Sequence, residues 1–206
     1  MKGLLLKDLT MMLKYGRLTL LACLIFSVAG WFGEPNLFFM VYPVVIGSVM
    51  AQSLIAYDER SGWESYCDAL PVTRAQVVTG KYLITLIVFA VFFILGVIGQ
   101  RISSVHDGGQ SVLSVIALLA AGGLIVPSVL LPFSFRFGSE KGRIVYLVTV
   151  GLTLGSIAAF GHVKELNPSG LNMASGAALG LLFTAVVVFI ISWRLSILLY
   201  KNRELT

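Results

Sequence analysis

Residues 57–82 read YDERSGWESYCDALPVTRAQVVTGKY, the longest charged stretch in a chain that is otherwise nearly continuous hydrocarbon. Long apolar runs flank it on both sides, so it sits at a membrane surface between two spans. Of the 206 residues, 57% are hydrophobic and 12% charged, with a mean hydropathy of +0.92. A soluble chain has roughly 45–50% apolar and about 25% charged residues. The composition therefore gives an integral membrane protein, and loops too short to fold alone make residues 1–206 a single transmembrane domain. The net charge of +5 would suit nucleic acid, but the basic residues sit beside apolar runs, where they report orientation in a bilayer instead. Cys23 and Cys67 match no zinc or redox spacing.

Outward from the stretch, the chain divides by its uncharged runs. A hydrocarbon core about 30 Å thick needs roughly 17–25 helical residues. Six runs serve: 18–33, which is short unless Arg17 snorkels to the headgroups, then 35–57, 82–100, 111–135, 144–161 and 173–199. Pro43, Pro127 and Pro132 fall inside the second and fourth and are expected to kink or break them. Every Lys and Arg except Arg101 and Lys164 lies in the N-terminal segment, the 58–81 segment, the loop 136–143 or the tail from Arg194. That asymmetry puts both termini and the 58–81 segment in the cytoplasm. Residues 1–17 space Leu5, Leu9, Met12 and Leu13 on one helical face among Lys2, Lys7, Lys14 and Arg17, as in an interfacial helix; a plain basic flank is the alternative. The outer loops look too short for a domain, and His106 and His162 lack a second ligand nearby, so no metal site is expected.

Within the central stretch, Ser61-Gly62-Trp63-Glu64 has the capping-box pattern that starts a helix. Trp63, Tyr66, Cys67 and Leu70 then share one face, and Pro71 ends the segment. Thr73-Arg74-Ala75-Gln76 is a second capping box, whose helix runs through Lys81 into the third span. A short helix lying across the ends of two spans can pass a push into both, or can simply seal the bundle against the headgroups.

Here the residues resemble a known family. Leu5-Leu6-Lys7-Asp8-Leu9, the 57–82 segment and the six-span layout are similar to the membrane subunits of bacterial type-2 ATP-binding-cassette exporters. Among these they look most like the small permeases of peptide-toxin exporters, such as those for phenol-soluble modulins. The specific likeness is the pattern Asp/Glu-Glu, Trp-Glu, Leu-Pro-x-x-Arg, Lys-Tyr, matched by Asp58, Glu59, Trp63, Glu64, Leu70, Pro71, Arg74, Lys81 and Tyr82. The resemblance implies an all-α protein of six transmembrane helices with an N-terminal elbow helix and a cytoplasmic coupling helix at 61–70 between spans two and three. It implies a separate cytoplasmic ATPase subunit, docked on Asp58, Glu59, Trp63, Glu64, Tyr66, Leu70 and Arg74, and a second permease copy, most simply as a homodimer. Exported cargo would be an amphipathic peptide, and the location a bacterial cell membrane.

The remaining residues argue for a path and against chemistry in the chain itself. No G-x-x-x-x-G-K-[ST] phosphate loop is present: Gly80-Lys81 is followed by Tyr82, and Ala75 stands where the first glycine belongs. ATP and magnesium therefore belong to a partner ATPase, and this chain needs no cofactor, metal or catalytic residue of its own. An intramembrane protease or transferase would need paired carboxylates, a Ser–His pair or metal-ligating histidines within the spans, and no span interior carries Asp, Glu or His. Their absence suits an amphipathic or lipid-like cargo better than an ion. Gln52, with Ser48 nearby, is the candidate path lining, a buried interhelical hydrogen bond being the alternative for Gln52. Gly151 and Gly155 form a small-xxx-small row that serves packing within the chain or between two copies; the resemblance favours the latter. An immunity or drug-efflux permease, and a non-transporting membrane anchor or sensor, are the competing functions.

Overall fold

In hydrocarbon every backbone N–H and C=O has to find its partner within the segment, so apolar runs close their hydrogen bonds as helices. The computed structural model describes residues 2–32, 37–63, 67, 72–104, 112–166 and 175–201. Among them the regular elements are α-helices: α1 (Lys2–Tyr15), α2 (Arg17–Phe32), α3 (Leu37–Ser48), α4 (Met50–Arg60), α5 (Arg74–Ser104), α6 (Val112–Phe137), α7 (Ser139–Leu166) and α8 (Ser175–Lys201). Four helices are long and apolar enough to cross a membrane: Phe39–Arg60, which joins α3 to α4, then Arg74–Arg101, Leu113–Phe137 and Gly176–Lys201. The pair α1–α2, bent by 74° at Gly16, makes a fifth if it counts as one span.

The helices overrun the uncharged runs at their ends. α4 continues to Arg60, past the expected end at Tyr57, and α5 starts at Arg74, well before Tyr82. Charged residues are tolerated in such end turns, and Arg60, in the last turn of α4, also complements the helix dipole. Residues 33–36, 105–111 and 167–174, where the sequence places the outer loops, lie outside the described residues.

The prolines do not break their helices. Pro43 lies inside α3, and Pro127 and Pro132 inside α6, without ending either helix. The irregular point in the second span is Val49 instead, whose N–H is shared between the carbonyls of Val45 and Ile46 at 3.3 Å each. Pro132 has no N–H to give the Ser128 carbonyl. The Ser192 hydroxyl from α8 donates to that carbonyl at 2.6 Å. With its proton so committed, Ser192 accepts from the Tyr82 hydroxyl of α5 at 2.7 Å, and Ser196 bonds the same hydroxyl at 2.7 Å. One freed carbonyl thus clasps α5, α6 and α8 together.

The span formed by α3 and α4 and the span of α6 form the centre: 72% and 67% of their apolar windows are buried, against 22% for α8. Val41, Val44 and Val45 of α3 interlock with Leu119, Val126 and Leu130 of α6 and with Ile84, Val88 and Phe92 of α5. A second cluster joins Leu4, Ala51, Ile55, Leu131 and Phe189 to Cys67, Val78 and Tyr82 of the 57–82 segment. Leu18, Leu147, Leu152, Phe183 and Ile191 point outward, a surface suited to lipid or to another apolar partner.

Candidate functional site

The site is built at the end of the bundle where α1, α4 and α5 meet. Asp58 lies in the last turn of α4 and takes two ammonium groups: Lys7 Nζ of α1 at 2.7 Å on Oδ1 and Lys81 Nζ of α5 at 2.6 Å on Oδ2. Lys81 also donates to Asp8 Oδ1 at 2.9 Å, and Lys7 lies 3.4 Å from the same oxygen. The side chains of Lys81, Asp8 and Asp58 are 2%, 1% and 8% exposed, that of Lys7 21%. Burying a charge costs several kcal/mol unless it is paired, and two lysines against two aspartates leave the cluster formally neutral. The arrangement therefore fixes where α1 and α5 sit against α4. Asp8 Oδ2 and Trp63 Nε1 are buried without a hydrogen-bond partner among the described residues. Lys7 Nζ stands 4.0 Å from the centre of the Trp63 ring, a cation–π distance.

Glu64, the partner that the expected capping box gives Ser61, lies outside the described residues, and the described bonds of Ser61 close the end of α4. The Ser61 hydroxyl donates backward to the Asp58 carbonyl at 3.1 Å, and the Ser61 and Gly62 N–H groups bond Tyr57 and Glu59 carbonyls at 3.0 and 3.2 Å. Gly62 has φ +67°, the left-handed conformation in which a glycine closes a helix C-terminus. Ser61-Gly62 thus ends α4, since the orphan carbonyls of a preceding helix compete for the same residues as a following N-terminus. Trp63 and Cys67 beyond it are helical and pack on the apolar cluster below. Glu64, Tyr66 and Leu70 lie outside the described residues. The second box is formed reciprocally: Gln76 N–H donates to Thr73 Oγ1 at 3.3 Å and Thr73 N–H to Gln76 Oε1 at 3.1 Å.

Two other residues expected at the docking surface have structural bonds. Arg74 donates to the Lys201 carbonyl at 3.4 Å, at the C-terminal end of α8. Glu59 Oε2 accepts the Ser139 N–H at 2.7 Å, capping the first turn of α7, just after Gly138 turns the chain at φ +83°. Glu59→Ala is expected to lose about 1 kcal/mol, the usual worth of an N-terminal cap. Glu59→Gln, which keeps an acceptor, should lose less than half of that. Hydrogen exchange at residues 139–143 and thermal unfolding in lipid nanodiscs measure both, and equal losses from the two variants would show that the cap bond contributes little.

Beside α4, a cavity of about 700 Å³ opens between the α1–α2 bend, α4 and the start of α7. Met11, Met12, Ile46, Met50, Leu54 and Leu147 give apolar walls; Gln52 and Ser53 are polar, as are Arg60, Glu140 and Arg143. The Tyr15 and Tyr57 rings, stacked at 4.9 Å, also line it. Gln52 accepts from the Ser134 hydroxyl, so it lines the cavity and makes an interhelical bond at once. Ser48 does neither: it is buried with its hydroxyl on the Val45 carbonyl at 2.8 Å. Gly151 and Gly155 lie on the outer side of α7, where an added Cβ meets nothing within 4 Å among the described residues.

Sequence reasoning grouped Asp58 and Lys81 in one segment but did not see Asp8 and Lys7 as their partners. The residues lie 51 and 73 positions apart along the chain. The one available signal was that Asp8 is the sole acid in an otherwise basic N-terminal helix.

The sequence model of one protein family, described as ABC-2 family transporter protein, matches residues 3–201. No curated protein and no solved structure matches the chain.

Proposed function

The chain belongs to the ABC-2 family of transporter proteins, and from that membership we propose that it is the permease subunit of an ATP-driven exporter of amphipathic peptides. Membership implies a membrane subunit working with an ATPase. In the proposed assembly two copies pair and two ATPases hold ATP and magnesium. α7 supplies the fifth span, α2 the first, and α1 is the elbow helix at the cytoplasmic interface. Residues 61–70 are the coupling helix, and the ATPase contacts Asp58, Glu59, Trp63, Glu64, Tyr66, Leu70 and Arg74. The exposed row Gly151 and Gly155, beside Leu147 and Leu152, supports a pairing face on α7.

The observation that carries the choice of cargo is the cavity beside α4. Its volume falls in the roughly 300–1,000 Å³ range of ligand sites. Apolar walls meet two cations and one anion, Arg60, Arg143 and Glu140. That mixture fits an amphipathic helix, whose apolar face needs the methionines and leucines while its charges of both signs need a polar margin. A sugar or an ion would leave the walls without a partner.

The test is co-expression of the chain with candidate ATPases, followed by ATP hydrolysis measured in lipid vesicles with and without amphipathic peptides. Peptide-stimulated hydrolysis and peptide uptake into inverted vesicles are expected. Alanine at Trp63 and Glu64 together should abolish ATPase co-purification. If co-purification and export both survive that double substitution, the docking role is wrong. Stimulation by small apolar drugs but not by peptides would favour an efflux permease, and the lack of any bound ATPase a membrane anchor.

A further inference from the structure

The charge cluster contains more than a fixed joint requires. Lys7 and Lys81 both bind Asp58, while Asp8, buried next door, has one oxygen bonded to Lys81 and the other unpartnered among the described residues. Lys7 is the member with most access to solvent and reaches the cluster on a flexible stem. It is already 3.4 Å from Asp8 Oδ1 and covers the Trp63 ring at 4.0 Å.

We propose that Lys7 is a two-position coupling element, held on Asp58 while the Trp63 ring lies beside it and transferred to Asp8 when Trp63 is displaced. Lys7 is thus a positioning residue for transport, acting between the docked segment and α1. Both positions satisfy the cluster equally. With Lys7 on Asp58, that carboxylate has two cations and Asp8 one; after transfer Asp8 has two, and Asp58 keeps Lys81. The number of charged hydrogen bonds does not change, so the two arrangements are close in energy and a modest bias selects between them. The bias is the ring. A cation against an indole face is attracted to it, and Trp63 lies one residue beyond the Gly62 turn that ends α4. A load on the segment beyond Gly62 moves Trp63 first. The consequence reaches α1: its direct tie to α4 through Lys7 opens, while Lys81 still holds α5 to both acids. The bent α1–α2 pair, which forms one wall of the cavity, then keeps in this cluster only the indirect link through Lys81 and can shift against α4.

The inference rests on reading residues 58–81 as the docking segment, so its test has two parts. In the chain alone, in lipid nanodiscs, spin labels at Leu6 on α1 and Arg60 on α4 report the tie. Trp63→Leu is expected to broaden their distance distribution, and adding Lys7→Met to broaden it no further. An unchanged distribution in Trp63→Leu, or fully additive broadening, overturns the proposal, whatever becomes of the transporter reading. In vesicles with the co-purified ATPase, Lys7→Met should keep basal hydrolysis and lose peptide stimulation at least fivefold, with Lys7→Arg restoring half or more. Full stimulation in Lys7→Met overturns the proposal, as does a loss that merely follows a lowered melting temperature. If no ATPase binds the wild-type chain, the transporter reading fails and the spin-label result alone decides this one.

Discussion

Lys81→Met is expected to cost the folded chain about 3–5 kcal/mol, the usual consequence of breaking a buried ion pair from one side. Methionine fills much the same space, so the loss comes from charge and not from a cavity. Without Lys81, Asp8 and Asp58 face each other across a site from which water is nearly excluded, with Lys7 as their one remaining cation among the described residues. The double variant Lys81→Met with Asp8→Asn removes a second charge of opposite sign and leaves Lys7 with Asp58. It should recover a large part of the loss, with a coupling of about 1–3 kcal/mol between the two sites. Thermal unfolding in nanodiscs, with yield of monodisperse protein as a second measure, checks both. Additive losses in the double variant would mean that Lys81 and Asp8 are not partners.

That cluster also marks where the sequence stopped being legible. Helices were legible wherever an apolar run was long, because hydrocarbon leaves the backbone no other way to close its hydrogen bonds. Their ends were less so: nothing in Asp58-Glu59-Arg60 says that a helix continues through three charges until one knows that Asp58 has Lys7 and Lys81 and that Glu59 has the Ser139 N–H. Ser61-Gly62 could serve the helix before it or the helix after it, and only the left-handed Gly62 separates the two. Gln52 stood out as a polar residue in a span. Its partner Ser134 did not, since an isolated serine in a membrane helix usually bonds its own preceding turn, as Ser134 also does at 2.9 Å to Leu130. The Lys7, Asp8, Asp58 and Lys81 set has no local pattern at all. Each residue reads as the flank of a span, and only the approach of three helices makes a site of them.

Gly16→Ala should move α1 as a whole. Gly16 is where α1 and α2 meet at 74°, and its place is set by the neighbours of its missing side chain. A Cβ there would stand 2.7 Å from the Met12 carbonyl oxygen and would collide with the Met50 side-chain methyl. The methyl ends a flexible chain and can turn away; the carbonyl belongs to the last turn of α1 and accepts the Gly16 N–H at 2.8 Å. Relief therefore requires the bend to open. α1 carries Lys7 and Asp8, so a changed bend pulls both away from Asp58 and Lys81. The direct cost of forcing a methyl into a packed site is about 1–3 kcal/mol, and the charge cluster adds to it. The Leu6–Arg60 label distance should lengthen in the same variant. Met50→Ala, which clears the methyl but not the carbonyl, should restore little of the stability of Gly16→Ala. A full restoration would show that the methionine sets the requirement for glycine and that the bend itself tolerates a side chain.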